Sequence, residues 1–321
     1  MKQFVLILLL ASEALAAERL LRMEDSQDAM GTGFSLVLYG TDANRMRSAS
    51  EQAFEEVRRL EQLLSNYRPE SEWSEVNRFA ADRPVRVSEE LFQLLAACMD
   101  YSRRSEGTFD ITVGPLMRLW GFYKGTGRLP HRAEVREVIA RIGYKNVILD
   151  RPSLSVRFRR KGIEMDPGGI GKGYAVDRMV EVLKANGIYT ALITAGGSSI
   201  YAMGAPPDEQ GWRVKIRNPK NHAQSVQEVV LKNQSMSTSG NDEKFFWAQG
   251  HIYSHIMDPR TGFPAQGTLA VSVIAPRTID SEAWTKPYFV HGRQWTAKNK
   301  PKDFRVYYCE DRSDLACAWL Q

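Results

Sequence analysis

The sequence predicts an α+β fold. Helix-periodic and strand-alternating segments come in mixed blocks, without the strict β-α alternation of a doubly wound parallel sheet. Apolar residues recur at spacings of three and four from Met46 to Leu64, as in a long amphipathic helix. The second half, from Thr190 to Ile274, is dense in short runs of strand character separated by turn residues.

With 321 residues the chain can bury one large core or two fused subdomains. Residues 1–16 read as a secretory signal that is cleaved off. Lys2 is its basic start, Phe4 to Leu10 its apolar core, and Ala14-Leu15-Ala16 its small-residue cleavage site. The apolar core is too short to span a bilayer as a helix. No cysteine lies near the cut to carry a lipid, so a soluble exported protein is expected, periplasmic in a Gram-negative source. Residues 17–28 read as a polar leader, 29–292 as the main domain, and 293–321 as a C-terminal tail packing on it.

Phe34–Tyr39 has strand character, and Gly40 and Asp42 mark the turn into the long helix. Ser65-Asn-Tyr-Arg-Pro69 breaks that helix, and Ser71–Asn77 suits a short second one. Ser88 caps a third, with Leu91, Leu94, Leu95, Cys98 and Met99 on one face. It ends at Glu106-Gly-Thr-Phe-Asp110, before an aromatic stretch at Trp120, Phe122 and Tyr123. Residues 124–133 read as a surface loop, Ala133–Ile142 as a helix and Asn146–Phe158 as a hairpin. Thr190–Thr194 is a buried strand ending in the glycine turn Ala195-Gly-Gly-Ser-Ser199. Strands are then expected at Trp212–Arg217, Gln227–Leu231, Ser235–Ser239, Phe245–Trp247, Ile252–Ile256, Leu269–Ile274 and Phe304–Cys309.

The formal net charge of +5, without a long basic run, is poor support for a nucleic-acid partner and suits a small anionic ligand better. Of three cysteines, Cys309 and Cys317 are placed to pair in an oxidising compartment, and Cys98 reads as a buried core residue. Nothing has zinc-ligand spacing.

The run Glu164-Met-Asp-Pro-Gly-Gly-Ile-Gly-Lys-Gly-Tyr-Ala-Val-Asp177 puts a glycine-dense turn before a helical pattern that Asn186-Gly187 stops. Such a turn presents N–H groups and a positive dipole end to an anion, and Lys172 adds a charge. The run is neither a Walker loop nor a dinucleotide fingerprint, and on spacing alone phosphate site and plain turn stand equal. His255, in Ser254-His-Ile-Met-Asp-Pro-Arg-Thr-Gly262, lies at a strand end, where a neutral imidazole could take a proton from a hydroxyl. A ring that merely caps the Asp-Pro turn is the simpler reading of those residues alone. In Arg277–Val290 a helical middle would set Glu282, Thr285 and Lys286 on one face, with Pro287 limiting its length. A carboxylate and a hydroxyl there suit a hard cation such as Mg2+; a surface Glu–Lys pair is the alternative.

Together these stretches resemble the ApbE family of FAD:protein FMN transferases, over residues 29–292. The resemblance rests on Met30-Gly-Thr, Ser65-Asn-Tyr-Arg-Pro69, Gly107-Thr-Phe-Asp110, Asp166–Asp177, Gly196-Gly197, His255–Gly262 and Glu282-Ala-Trp-Thr, in that order. It implies an ApbE-like, T-fold-related α+β fold whose two subdomains, of mixed and antiparallel sheet with helices, hold FAD between them. It implies Mg2+-dependent transfer of FMN from FAD to a threonine or serine of an acceptor protein, in an exported or membrane redox system, with release of AMP. By motif position, Met30 and Tyr67 would pack on the flavin, and Thr108, Phe109 and Asp110 would line the nucleotide. Asp166 and Lys172 would contact FAD, and His255 and Ile256 would border the pyrophosphate. The Gly169 carbonyl, Glu282, Thr285 and the position of Lys286 would surround the metal. The family pattern has aspartate where Glu282 stands and threonine where Lys286 stands, and an ammonium has no lone pair to offer a metal. An FAD pyrophosphatase and a non-catalytic FAD-binding protein are the competing expectations.

Overall fold

The structure is a computed structural model that describes residues 20–312 and 314–321. The expected signal segment, residues 1–16, and the first residues of the expected leader, 17–19, lie outside the described residues.

The chain opens with a hairpin of β1 (Leu21–Ala29) and β2 (Thr32–Gly40). Residues 21–28, expected as part of a polar leader, are therefore strand. They read as polar because two inward positions carry Asp25 and Gln27, and the next helix supplies partners for both. Ser50 Oγ donates to Asp25 at 2.7 Å and Arg58 to Gln27 at 2.5 Å. The two-residue turn is Met30-Gly31, with φ of 52° and 71°. Positive φ at both positions matches the strand twist of a tight hairpin, and methionine is an unusual occupant of the first.

Helix α1 (Ala43–Leu64) starts where Asp42 accepts from the amides of Asn44 and Arg45, and buries Met46, Ala49, Ala53, Phe54, Val57, Leu60 and Leu64 as its periodicity predicts. Ser71 caps α2 (Glu72–Phe79). A short strand β3 (Val85–Arg86) precedes α3 (Glu89–Arg104), capped by Ser88. A 3-10 turn at Ile111–Val113 leads into α4 (Gly114–Leu119), followed by the expected loop and α5 (Arg132–Ile139). β4 (Val147–Asp150) and β5 (Ser155–Phe158) form the expected hairpin, and β3 joins them in a small antiparallel sheet.

Helix α6 (Gly171–Ala185) leads to β6 (Thr190–Ala195), β7 (Ser199–Met203), β8 (Trp212–Asn218), β9 (Asn221–Leu231) and β10 (Gln234–Gly240). The small hairpins β11 (Phe245–Ala248) with β12 (His251–Ser254), and β13 (Met257–Asp258) with β14 (Phe263–Pro264), precede β15 (Thr268–Ala275). Helices α7 (Thr278–His291) and α8 (Arg293–Asn299) and strands β16 (Arg305–Glu310) and β17 (Ala316–Trp319) finish the chain.

Eight strands form one antiparallel sheet in the order β1-β2-β6-β7-β10-β15-β16-β17. Residues 293–321, expected as a tail packing on the domain, thus supply α8 and the last two strands of this sheet. Period-two alternation sorts its faces. Phe34, Leu36, Leu38 and Ile193 pack against α1 and α6, while Val37, Tyr39, Ile200, Met236 and Ile274 pack against the β8–β9 ribbon. Pro287 does not stop α7, which runs on to His291. A proline inside a helix costs about 3 kcal/mol. Trp284, Tyr288 and Phe289, all buried in the largest core cluster, offset that cost. Cys309 and Cys317 face each other across β16 and β17 and are disulfide-bonded; Cys98 is free and buried.

Candidate functional site

The site is built where α6 and α7 meet on the helical face of the sheet. The row Ser235, Ser237 and Ser239 of β10 fixes α7 above it. Ser235 Oγ donates to the carbonyls of Ala275 and Arg277 at 2.8 Å. Ser237 bonds Ser281, and Ser239 Oγ donates to Thr285 Oγ1, both at 2.8 Å. Asp177 of α6 accepts from the amides of Thr278 and Ile279 at 2.7 and 2.9 Å, capping α7 from the neighbouring helix. Burial pushes its carboxyl up to about 6, against the pull of those two amides.

Glycine allows the two helices to touch. A Cβ on Gly173 would lie 2.6 Å from the Thr278 carbonyl oxygen and 2.9 Å from Glu282 Oε2. With no Cβ present, the Gly173 amide donates to Glu282 Oε2 at 2.5 Å. The Gly171 amide is taken by Pro167 O at 2.8 Å. Two amides expected to be open to an anion are thus engaged within the protein.

The other expected residues gather around this contact. Met30 closes on α6, its Cε 3.2 Å from where a Gly171 Cβ would stand, and its amide donates to Glu61 at 2.9 Å. Lys172 Nζ donates to Ser198 Oγ at 2.5 Å, which joins the first glycine turn to the second. The space beside Gly169 is bounded by Phe109 and the Lys286 side chain, 3.5 and 3.8 Å from the position of the absent Cβ. Asp166 accepts from Tyr123 Oη at 2.5 Å and from the Gly168 amide at 2.6 Å, and burial raises its pKa. Tyr67 is 74% exposed and stands edge-on to Tyr123. It borders a cleft of about 520 Å³ shared with Asn66, Ser74, Asn77 and Glu164.

Thr108 and Asp110 face inward. Thr108 Oγ1 donates to Ser105 O at 2.8 Å. Asp110 accepts from the Thr112 amide and hydroxyl and from the Tyr144 amide, all within 2.8 Å. Both shape the loop that presents Phe109.

His255 follows β12 and is partly buried. Its Nδ1 lies 3.2 Å from the Lys244 carbonyl oxygen. A neutral ring donates there from Nδ1–H and leaves Nε2 as an acceptor. Desolvation lowers its pKa to about 4, and the charges of Lys286, Lys244 and Lys172 push the same way. Ile256, buried next to it, belongs to the core cluster that contains Phe109 and Trp284. Glu243 reaches the same electrostatic neighbourhood. Its pKa is raised by desolvation and by the carboxylates of Asp242 and Glu282, and held down by Lys172 and Lys286. Tyr123, Ser198, Glu243 and Lys244 were not singled out by the sequence. The last two sit in the connection from β10 to β11, where the sequence offers only polar and turn residues.

The proposed metal donors are largely committed. Glu282 Oε2 holds the Gly173 amide. Thr285 Oγ1 donates to Glu282 O at 2.7 Å and accepts from Ser239. Lys286 Nζ donates to Glu282 O at 3.0 Å and lies 4.0 Å from Glu282 Oε1. Among the described residues, no three His, Cys, Asp or Glu side chains gather as a metal-holding group. Mg2+ is commonly held by one or two carboxylates, with water and substrate phosphates completing its shell. Here Glu282 Oε2 and Thr285 Oγ1 are engaged and an ammonium, which has no lone pair, stands 4.0 Å from Glu282 Oε1, so this donor set does not fit the ion.

The ApbE family model matches residues 30–306. A Klebsiella pneumoniae protein named FAD:protein FMN transferase is 33% identical over 81% of this chain and 79% of its own length. A Treponema pallidum protein of the same name is 32% identical over 78% of this chain and 73% of its own. The crystal structure of the ApbE protein of Thermotoga maritima superposes with a TM-score of 0.84 at 28% identity, covering 92% of this chain and 96% of that one. The apo flavinyl transferase ApbE of Pseudomonas stutzeri shares the fold, with a TM-score of 0.84 at 24% identity over 94% and 95% of the two chains. With the family model matched over residues 30–306, a third of the sequence shared with a named relative, and the glycine turn of α6 bonded to the carboxylate of α7 on this fold, the chain belongs to the ApbE family.

Proposed function

We propose that the chain is an FAD:protein FMN transferase, moving FMN from FAD onto a threonine or serine hydroxyl of an acceptor protein and releasing AMP. One arrangement carries the reading: Lys172, bonded to Ser198 at 2.5 Å, and Lys286, whose Cε passes 3.8 Å from the space a Gly169 Cβ would fill, set two ammoniums at the glycine turn, and the His255 ring is fixed on the Lys244 carbonyl at 3.2 Å. Such a pocket suits a diphosphate bridge held beside a base. Met30 and Tyr67 pack on the flavin portion. Phe109, on its Thr108–Asp110 loop, borders the nucleotide; Asp166 and Lys172 contact FAD; Ile256 walls the pyrophosphate.

The acceptor hydroxyl oxygen attacks the FMN-side phosphorus of FAD. The bond from that phosphorus to the bridging oxygen breaks, and AMP leaves with that oxygen. His255 Nε2 takes the hydroxyl proton and returns it to solvent. The lysines neutralise charge on the phosphoryl oxygens as it develops, which is the main catalytic contribution expected in phosphoryl transfer. No step is assigned to Mg2+, because the donor set does not fit it.

The acceptor belongs to an exported or membrane redox system, and the chain works in the periplasm or a comparable exported space. The signal-like residues 1–16 and the Cys309–Cys317 disulfide support that placement. Among the described residues no helix is long and apolar enough to cross a membrane. The test is incubation with FAD and an acceptor domain bearing the target threonine, read by intact mass and AMP release. A gain of one FMN on the acceptor with matching AMP is expected. Free FMN with AMP would show hydrolysis instead, and intact FAD would show a carrier.

A further inference from the structure

The mismatch between the α7 donors and a divalent ion has a structural counterpart in Lys286. This side chain comes from the face of α7 that looks at Gly169, and its Cε passes 3.8 Å from the space a Gly169 Cβ would fill. The ammonium thus lies between the glycine turn and the carboxylate of Glu282, which is itself 2% exposed. An ammonium has three protons. One goes to Glu282 O at 3.0 Å, and a second faces Glu282 Oε1 at 4.0 Å. The third is available to a ligand on the side of the glycine turn. Glu282 is in turn held by the Gly173 amide, so the cation rests on a fixed carboxylate.

We propose that Lys286 is a built-in cation, and that this chain transfers FMN with the ammoniums of Lys286 and Lys172 on the diphosphate in place of a divalent metal. The inference rests on the flavin-transfer reading. The reaction balances as written for that reading: one P–O bond forms to the acceptor hydroxyl, one breaks to AMP, and the proton passes through His255. Burial and the charge of Lys172 disfavour the charged form of Lys286, whereas the Glu282 carboxylate, 4.0 Å away, and Glu243 favour it. Two negative charges on an arriving diphosphate add to that hold.

The test uses the mature full chain, treated with EDTA and desalted. Transfer from FAD to an acceptor domain is measured with EDTA and with added Mg2+, and Mn2+ binding is followed by electron paramagnetic resonance with and without FAD. The expected wild-type rates agree within about twofold, and Mn2+ stays free. Lys286→Met, which keeps the aliphatic stem, loses about a hundredfold in transfer whether or not Mg2+ is present. Glu282→Asp combined with Lys286→Thr binds Mn2+ and becomes Mg2+-dependent. Wild-type transfer that stops in EDTA and returns with Mg2+ overturns the proposal, as does stoichiometric Mn2+ binding by the wild type. Absence of transfer under every condition defeats the flavin-transfer reading, while the Mn2+ measurement still decides the metal question.

Discussion

His255 is held neutral by burial, and the charges of Lys286, Lys244 and Lys172 push the same way. With its pKa lowered from 6.5 to about 4, its free Nε2 is ready as a base across the neutral range. His255→Ala is therefore expected to bind FAD normally in a fluorescence titration and to transfer about 10²–10⁴-fold more slowly. In the wild type, the acid limb of kcat/KM, which reports the free enzyme, should fall near pH 4. The limb of kcat should lie higher, because bound diphosphate favours the imidazolium. Stability carries the same sign. Between pH 6.5 and 4 the unfolded chain binds a proton that the folded chain does not. The histidine's contribution is complete above 6.5 and lost as pH falls toward 4, a slope that His255→Ala removes from denaturation curves. The sequence placed this residue at a strand end but gave no sign of its neighbours, since Lys244 looks like any turn lysine until the chain folds. Met30 is similar. Its motif is legible, whereas its φ of 52° is a property of the hairpin turn.

Between elements, the α6–α7 contact sets the spacing of the site. Asp177→Ala removes both acceptors at the start of α7, and should cost about 1–2 kcal/mol in chemical denaturation. Gly173→Ala meets backbone: a Cβ 2.6 Å from the Thr278 carbonyl cannot be relieved by a side-chain rotation, so α7 must shift. Loss of FAD binding with a folded far-ultraviolet spectrum is the expected outcome. α1 was readable because its apolar stripe is uninterrupted over Met46–Leu64. α6 was readable only from Tyr174, since Gly171 and Gly173 are weak helix formers, and the actual start depends on packing against α7. The run through Pro287 has the same explanation, because local propensity gave way to a buried helix surface. β7 went unrecognised because Ser199–Met203 is buried on both faces and shows no alternation.

Across the whole molecule, the α+β class and most strands of the second half followed from alternation and turns. The sheet's two ends did not. β1 carries polar residues at inward positions, and β17 is too short and too mixed to read. The disulfide belongs to this scale, because it joins the last strand to its neighbour at one sheet edge. A covalent loop this short contributes about 2–3 kcal/mol through chain entropy. Reduction should therefore lower the Tm in calorimetry, and, since β16 stays paired with β15, leave FMN transfer unchanged. Transfer that fails on reduction alone would place the edge strand in the working site.

The β1–β2 hairpin finds its sheet neighbour, β6, only late in the chain, with Phe34 opposite Ala195. A ribosome delivers the hairpin long before that neighbour exists. Helix α1, which follows at once, covers Phe34, Leu36 and Leu38, but the outer edge of β2 stays unpaired and open to any other chain. An escorting chaperone that masks that edge until β6 emerges would meet a need that the topology itself creates.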